Sequence, residues 1–351
     1  MGGTEGARRH RVAVLAGDGI GLEVTPAAIT VIDQACAAQG CLIEWTHYPW
    51  GSQYYLEHGH MMPNNAIDLL AEHEAILLGA VGDPAISDVE TLWGMLIPIR
   101  RQFDQYINLR PVRTLQGVPH VATTPIDLMI VRENSEGEYS PIGGRFGTGD
   151  AEIAIQDAVF SRKGITRVAA YAAQLAATRT GHLTSATKSN GIIHTMPFWD
   201  EVVREVADGY PQVRLDSVLV DALAAAMVLH PDRLDVVVAS NLFGDILSDL
   251  AAALAGSIGI APSANLNPER RFPSMFEPVH GSAPDIAGQD LANPVGAIWA
   301  GAMMLDHLGE HQTANTITKA FEQVIASGTS TTDLGGTAST RTFTQAVLGH
   351  L

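Results

Sequence analysis

At 351 residues the chain exceeds what one hydrophobic core ordinarily spans, so two domains or one large α/β unit are expected. Its 46% apolar and 17% charged residues are those of a soluble globular protein, and no apolar run approaches the roughly 20 residues that cross a bilayer. The net charge of −17, from 21 basic and 38 acidic residues, argues against general nucleic-acid binding and means that any anionic substrate needs basic residues gathered locally.

The opening MGGTEGARRH has no apolar h-region and reads as a polar leader, so a cytoplasmic protein is expected. Apolar strand-like runs then alternate with helical patterns: RVAVLA before a helix over 22–38, CLIEWTHY before one over 64–73, and AILLGAVG before one around 98–106. That rhythm predicts an α/β fold with a largely parallel sheet. Cys36 and Cys41 in this region are expected as two buried thiols, not a disulfide. From Leu109 the texture changes. IDLMIVREN and AEIAIQDAVFS flank the glycine-rich EGEYSPIGGRFGTGD, which reads as an arm or hairpin. Alternation resumes with helices over 167–180, 198–208 and 241–255 and strands at HLTSATKS and LDVVVAS. GIAPSANLNPERRFP is expected to be a long polar loop, and helices over 295–308 and 313–326 to close the chain.

The stretch VAVLAGDGIGLEV resembles a dinucleotide fingerprint, but G-x-G-x-x-G would need its third glycine at Leu22, and no acidic residue is well placed for a ribose. Stronger chemistry lies further on. Asp245 and Asp249, four apart in a helical pattern, share one face with about 6 Å between Cβ atoms. Their neighbours Leu242, Phe243, Ile246, Leu247 and Leu250 leave little of the helix free to be a solvated acidic face, so a hard divalent cation is expected between the carboxylates. Asp221, alone among apolar residues in VLVDALAAAMVL, is a third candidate ligand. Arg100, Arg110 and Arg132 each follow an apolar run. One such arginine is ordinarily a surface residue; three around one site would clamp carboxylates bidentately. Tyr139 and Lys188, the only lysine between Lys163 and Lys319, suit proton transfer beside a metal. In FEPVHGSAPDIAG, the turn at His280, Gly281 and Ser282 with Asp285 after it reads either as a surface loop or as a nucleotide loop.

The ordered set GDGIG, LRPVR, VRENSEGEY, TKSNG, NLFGDILSD and EPVHGSAPDIAG…NP resembles the metal-dependent β-decarboxylating hydroxyacid dehydrogenases, from about residue 12 to 310. VRENSEGEYS, TSATKSNG and VVVASNLFGDILSDL are most similar to the tartrate/D-malate branch. The resemblance implies a two-domain, isopropylmalate dehydrogenase-like α/β fold that is not Rossmann. One domain, 1–105 with 256–351, would contain both termini on the cofactor side; the other, 106–255, would bind substrate and dimerise, with an arm near 139–160. It implies a homodimer, or a tetramer of such dimers, with active sites shared through Lys188 and Asp221.

The implied chemistry is NAD-dependent oxidation and β-decarboxylation of a small 2-hydroxy dicarboxylic acid. Mg²⁺ or Mn²⁺ would be held by Asp221, Asp245 and Asp249, with Lys188, Asp221 and Tyr139 moving protons. Arg100, Arg110 and Arg132 would hold carboxylates. Asn190 would lie near the nicotinamide, and His280, Gly281, Ser282, Ala283, Asp285 and Asn293 near the adenosine. A carboxylate at Asp285 accepts from ribose hydroxyls and repels a 2′-phosphate, which favours NAD over NADP. Relatives that take isocitrate place Ser and Asn where this chain has Gly94 and Leu96, and isopropylmalate enzymes have an acidic residue in place of Trp93. D-malate or tartrate is therefore the expected substrate, with 3-isopropylmalate the alternative and a non-catalytic regulatory subunit a distant third. Pro98 suits a helix's first turn, so a helix beginning there would leave Trp93 on a mobile loop.

Overall fold

The computed structural model describes residues 8–351, so the first seven residues of the expected polar leader lie outside it. The chain divides into two compact units. The first comprises 8–105, Thr114–Val121 and Ala255–Leu351; the second comprises Tyr106–Arg113 and Ala122–Leu254. Thr114–Val121, expected with the second unit, belongs to the first.

The first unit carries five strands in the order Cys41–His47, Arg8–Gly17, Ala75–Ala80, Ser274–Pro278 and Pro262–Leu266. All neighbours run parallel except the last pair, which is antiparallel. Ala75–Ala80 is buried along its whole length, as a parallel strand covered on both faces must be. Side chains alternate across a strand, so Ala13, Leu15, Ile76 and Leu78 share one face and pack with Trp50, Met61, Met95, Ile99 and Phe103. Elsewhere in this unit helices Gly21–Gln39, Val295–Leu308, His311–Ala326 and Thr340–Leu348 pack together.

Three expectations need correction here. The segment expected as a polar loop contains the fully buried strand Pro262–Leu266. Its polarity misled because Asn265 is satisfied inside, donating to Glu277 Oε1 at 2.7 Å. The chain closes on a further helix, Thr340–Leu348, whose start Ser339 caps by accepting from Thr342 N–H. Finally, helix does not begin at Pro98. It runs from Asp88 through a π-helical stretch, Leu92–Leu96, into Ile97–Gln102. Ile97 N–H bonds to Leu92 O, and this wider turn accommodates a proline that has no N–H to give. Trp93 is therefore on a helix and not on a mobile loop.

The second unit repeats the plan: five strands in the order Ile107–Arg113, Asp127–Glu133, Val236–Ala239, His182–Thr187 and Arg214–Leu219. The first pair is antiparallel and the others are parallel. Helices Arg162–Ala177 and Thr195–Ala207 pack on each other, and Val220–Leu229 and Asn241–Ala255 complete the unit. The glycine-rich segment forms an antiparallel hairpin, Gly143–Phe146 with Ile153–Gln156, in which every residue is exposed, including Phe146, Ile153 and Ile155. Among the described residues no helix is long and apolar enough to cross a membrane.

Candidate active site

Register brings the second unit's arginines together. Asn108 pairs with Arg132 and Arg110 with Ile130, so Arg110 and Arg132 are diagonal neighbours on one face of an antiparallel pair. Helix Asn241–Ala255 approaches that face. A Cβ on Gly244 would stand 2.6 Å from Arg132 Cβ, so only glycine lets the helix come this close. Asp245, the next residue, then meets three donors. Arg110 Nη2 reaches its Oδ1 at 3.2 Å, Arg132 Nη1 reaches the same oxygen, and the Tyr139 hydroxyl donates to Oδ2 at 3.1 Å. Asp249, one turn on, accepts from Arg110 Nη1 at 3.1 Å. Local positive charge, which the net charge of the chain made a requirement, is thus gathered around the acidic pair.

Both guanidiniums are buried and fully engaged. Arg110 also donates to Asn108 Oδ1 and to Ser248 Oγ, and Arg132 donates through Nε and Nη2 to Asn241 Oδ1. Asn108, Asn241 and Ser248 escaped the sequence argument. Asn241 lies one turn before Asp245, so the helical spacing that selected the two aspartates could have been carried back to it. Burial, and next to it the Asp245 charge, raise the Tyr139 pKa and keep the phenol a proton donor. Burial also raises that of Asp249, against the lowering effect of Arg110.

The motif that delivers Tyr139 is held by its own glutamates. Glu133 accepts from Ser135 N–H, Ser135 Oγ and Glu136 N–H; Glu136 takes Ser161 N–H and Oγ. Glu138 accepts from Ser240 Oγ and Leu242 N–H, capping the helix that carries Asp245. Glu133 is fully buried, and desolvation pushes its pKa up to about 7.

Lys188 Nζ donates to Asp221 Oδ1 at 2.6 Å, and that bond lowers the Asp221 pKa. Among the described residues no three His, Cys, Asp or Glu side chains gather around a metal-sized space. One chain therefore offers a hard cation two carboxylates, Asp245 and Asp249, and keeps the third, Asp221, on Lys188. The donor chemistry suits Mg²⁺ or Mn²⁺, but three ligands would require a carboxylate from elsewhere. Asn190 is exposed in the turn after Lys188.

In the first unit Arg100 Nη2 donates to the buried Glu277 Oε1 at 2.9 Å, a partner the sequence did not reveal. Trp93 lies under the guanidinium of Arg101, 5.1 Å from the ring centroid, and Leu96 packs on the core beneath. Gly281 is exposed, Ser282 buried, and Ala283 adopts φ +40°. His280 Nδ1 lies 3.0 Å from Gly281 O while its Nε2 is buried without a partner, and burial lowers its pKa. Asp285 is exposed; Asn293 is buried, donating one N–H to Asp333 and accepting from Val295 N–H at the start of a helix. A cavity of about 530 Å³ is lined by Gly82, Asp83, Ser87, Gly281 and Ser282.

Residues 11–347 match the family model "Isocitrate/isopropylmalate dehydrogenase". The chain is 52% identical over 350 residues to D-malate dehydrogenase [decarboxylating] of Escherichia coli, covering 96% of this chain and 97% of that one. It is 51% identical over 349 residues to tartrate dehydrogenase/decarboxylase of Pseudomonas putida, covering 95% and 96%. The crystal structure of isocitrate dehydrogenase from Methylococcus capsulatus superposes with a TM-score of 0.89 at 34% identity, over 97% of this chain and 99% of that one. Two α/β units with mixed sheets, an arginine-bound pair of aspartates and matches along nearly the whole length lead to one conclusion: the chain belongs to the isocitrate/isopropylmalate dehydrogenase family, the decarboxylating hydroxyacid dehydrogenases.

Proposed function

We propose that the chain oxidises D-malate or tartrate with NAD⁺ and releases CO₂ from the β-carboxylate. The observation that carries this is the cluster in which Asp245 meets Arg110, Arg132 and the Tyr139 hydroxyl: two cations, a carboxylate and a hydroxyl donor on one surface. Near 50% identity to enzymes with those names supports the substrate class. Asp245, Asp249 and the partner subunit's Asp221 would hold Mg²⁺ or Mn²⁺, which would supply Lewis-acid polarisation of the substrate's 2-hydroxyl and of the carbonyl formed from it.

The protein's own groups do the rest. Arg100, Arg110 and Arg132 would hold the substrate carboxylates, Arg110 and Arg132 exchanging Asp245 and Asp249 for them as those two aspartates turn to the metal. Lys188 takes the hydroxyl proton through Asp221, along the 2.6 Å contact between them, and Asn190 would lie beside the nicotinamide, which would serve as hydride acceptor. Tyr139, kept protonated by burial and by the Asp245 charge, delivers a proton to the enolate carbon left by CO₂. Trp93 and Leu96 wall a pocket for four carbons. His280, Gly281, Ser282, Ala283, Asp285 and Asn293 take the adenosine, and the exposed Asp285 carboxylate selects NAD over NADP.

A homodimer, or a tetramer built from it, completes each site with Lys188 and Asp221 of the other copy. The exposed apolar hairpin around Phe146, Ile153 and Ile155 supports such pairing. Two free buried thiols suit a reducing cytoplasm. The test is NADH formation by purified protein with D-malate, the tartrates, 3-isopropylmalate and isocitrate, with and without EDTA and with NADP⁺ in place of NAD⁺. Activity should require metal and NAD⁺ and be highest with a four-carbon acid. Equal turnover of 3-isopropylmalate, or activity in EDTA, overturns the assignment.

A further inference from the structure

The GDGIG turn holds no phosphate fingerprint, yet it grips the loop that carries His280 and Asp285. Ile20 N–H donates to Ser282 O at 2.8 Å. A Cβ on Gly19 would stand 2.0 Å from that same oxygen, so glycine permits the approach. One helical turn on, the two carboxylate oxygens of Glu23 divide between the N–H groups of Gly288 and Asp290. Asp290 extends the chain of contacts: its carbonyl accepts from Thr340 N–H and its Oδ1 from Arg341 N–H, each at 3.0 Å.

The segment so gripped is strained. Ala283 and Asp290 have φ of +40° and +59°, a region that L side chains avoid and that persists only where the surroundings enforce it. Beside Gly288 and Asp290 lies a cavity of about 460 Å³ lined also by Glu23, Thr30 and Arg341, so close packing does not replace the carboxylate there. An acid in the first turn of a helix ordinarily only complements the dipole. Here both of its oxygens are spent on a neighbouring loop.

We propose that Glu23 is a positioning residue for the dinucleotide: by fixing Gly288 and Asp290 it holds the His280–Asp285 turn ready for the adenosine half. This rests on the assignment of that loop to NAD made above. Preorganisation of this kind acts on cofactor affinity and not on the chemical step.

The test compares wild type, Glu23→Ala and Glu23→Gln by NADH fluorescence titration, by amide hydrogen exchange at Gly288 and Asp290, and by steady-state kinetics. Glu23→Ala should raise the NADH Kd about tenfold, the loss expected for roughly one charge-assisted hydrogen bond. It should also remove exchange protection of the two amides. At saturating NAD⁺, kcat and the KM for the hydroxy acid should stay within about twofold, a split that general destabilisation does not produce. Glu23→Gln keeps one acceptor oxygen and should fall between the two; it carries the test if the alanine variant does not fold. Unchanged Kd with lost protection overturns the proposal, as does a fall in kcat at unchanged Kd. Failure of the wild type to bind NADH overturns the cofactor assignment itself, a result separate from either.

Discussion

Gly244→Ala puts the architecture of the site to its sharpest test. Gly244 lies inside helix Asn241–Ala255, where alanine ordinarily gains about 1 kcal/mol over glycine. A new Cβ there would stand 2.6 Å from Arg132 Cβ and 2.7 Å from Cγ, against about 3.5–4.0 Å for ordinary carbon contacts. Arg132 cannot swing aside, because its guanidinium is tied to Asn241 and Asp245, and its Cα, at 3.2 Å, belongs to a strand paired on both sides. The helix must shift by roughly 1 Å. Overpacking of this size costs about 1–3 kcal/mol, so the net change should be a loss of about 0–2 kcal/mol despite the better helix former. The same shift moves Asp245 and Asp249 off Arg110 and Arg132, and a 1 Å misplacement of this kind costs about 100-fold in rate. Urea denaturation read by circular dichroism and NADH formation with D-malate measure the two effects. A variant more stable than wild type, with kcat/KM within threefold, would refute the claim that glycine is there for closeness.

Other outcomes follow from the same contacts. Asp245→Asn leaves Arg110 and Arg132 buried with a weaker counter-charge; it should lower unfolding stability by about 2 kcal/mol, less than for a fully buried pair because Asp245 is about a third exposed, and abolish turnover. Unchanged stability in a urea titration would contradict it. Glu310, bound by Arg8 and His10, has its pKa lowered to about 2, so its contribution is present above the unfolded value near 4.5 and lost as pH falls towards 2. Glu310→Gln should cost about 1–2 kcal/mol at pH 7, discounted because Arg8 is largely exposed, and flatten the acid limb of stability against pH. Glu133 behaves oppositely. Its pKa, raised to about 7, makes stability greatest below the unfolded value and lost as pH rises through 7, so Glu133→Gln should be less sensitive than wild type between pH 5 and 8. Parallel melting curves for the two proteins across that range would count against the burial argument.

The sequence by itself determined the elements whose signal is local. Period-2 and period-3.6 patterns give the buried strands and most of the helices, and the i, i+4 spacing of Asp245 and Asp249 on an apolar helix marks the acidic pair. It also showed that GDGIG lacks the third glycine of a dinucleotide fingerprint. What it could not supply depends on partners distant in the chain. Pro262–Leu266 looks like a loop until Asn265 finds Glu277 inside the first unit. Pro98 looks like a helix start until a π turn absorbs it. Arg110 and Arg132 are two ordinary strand arginines until antiparallel register sets them diagonally and Gly244 lets a helix carry Asp245 between them. Arg100 is likewise engaged with Glu277, 177 positions away. Local propensity is written in neighbouring residues, whereas charge neutralisation and close approach are properties of register and packing, and only the tertiary structure fixes those.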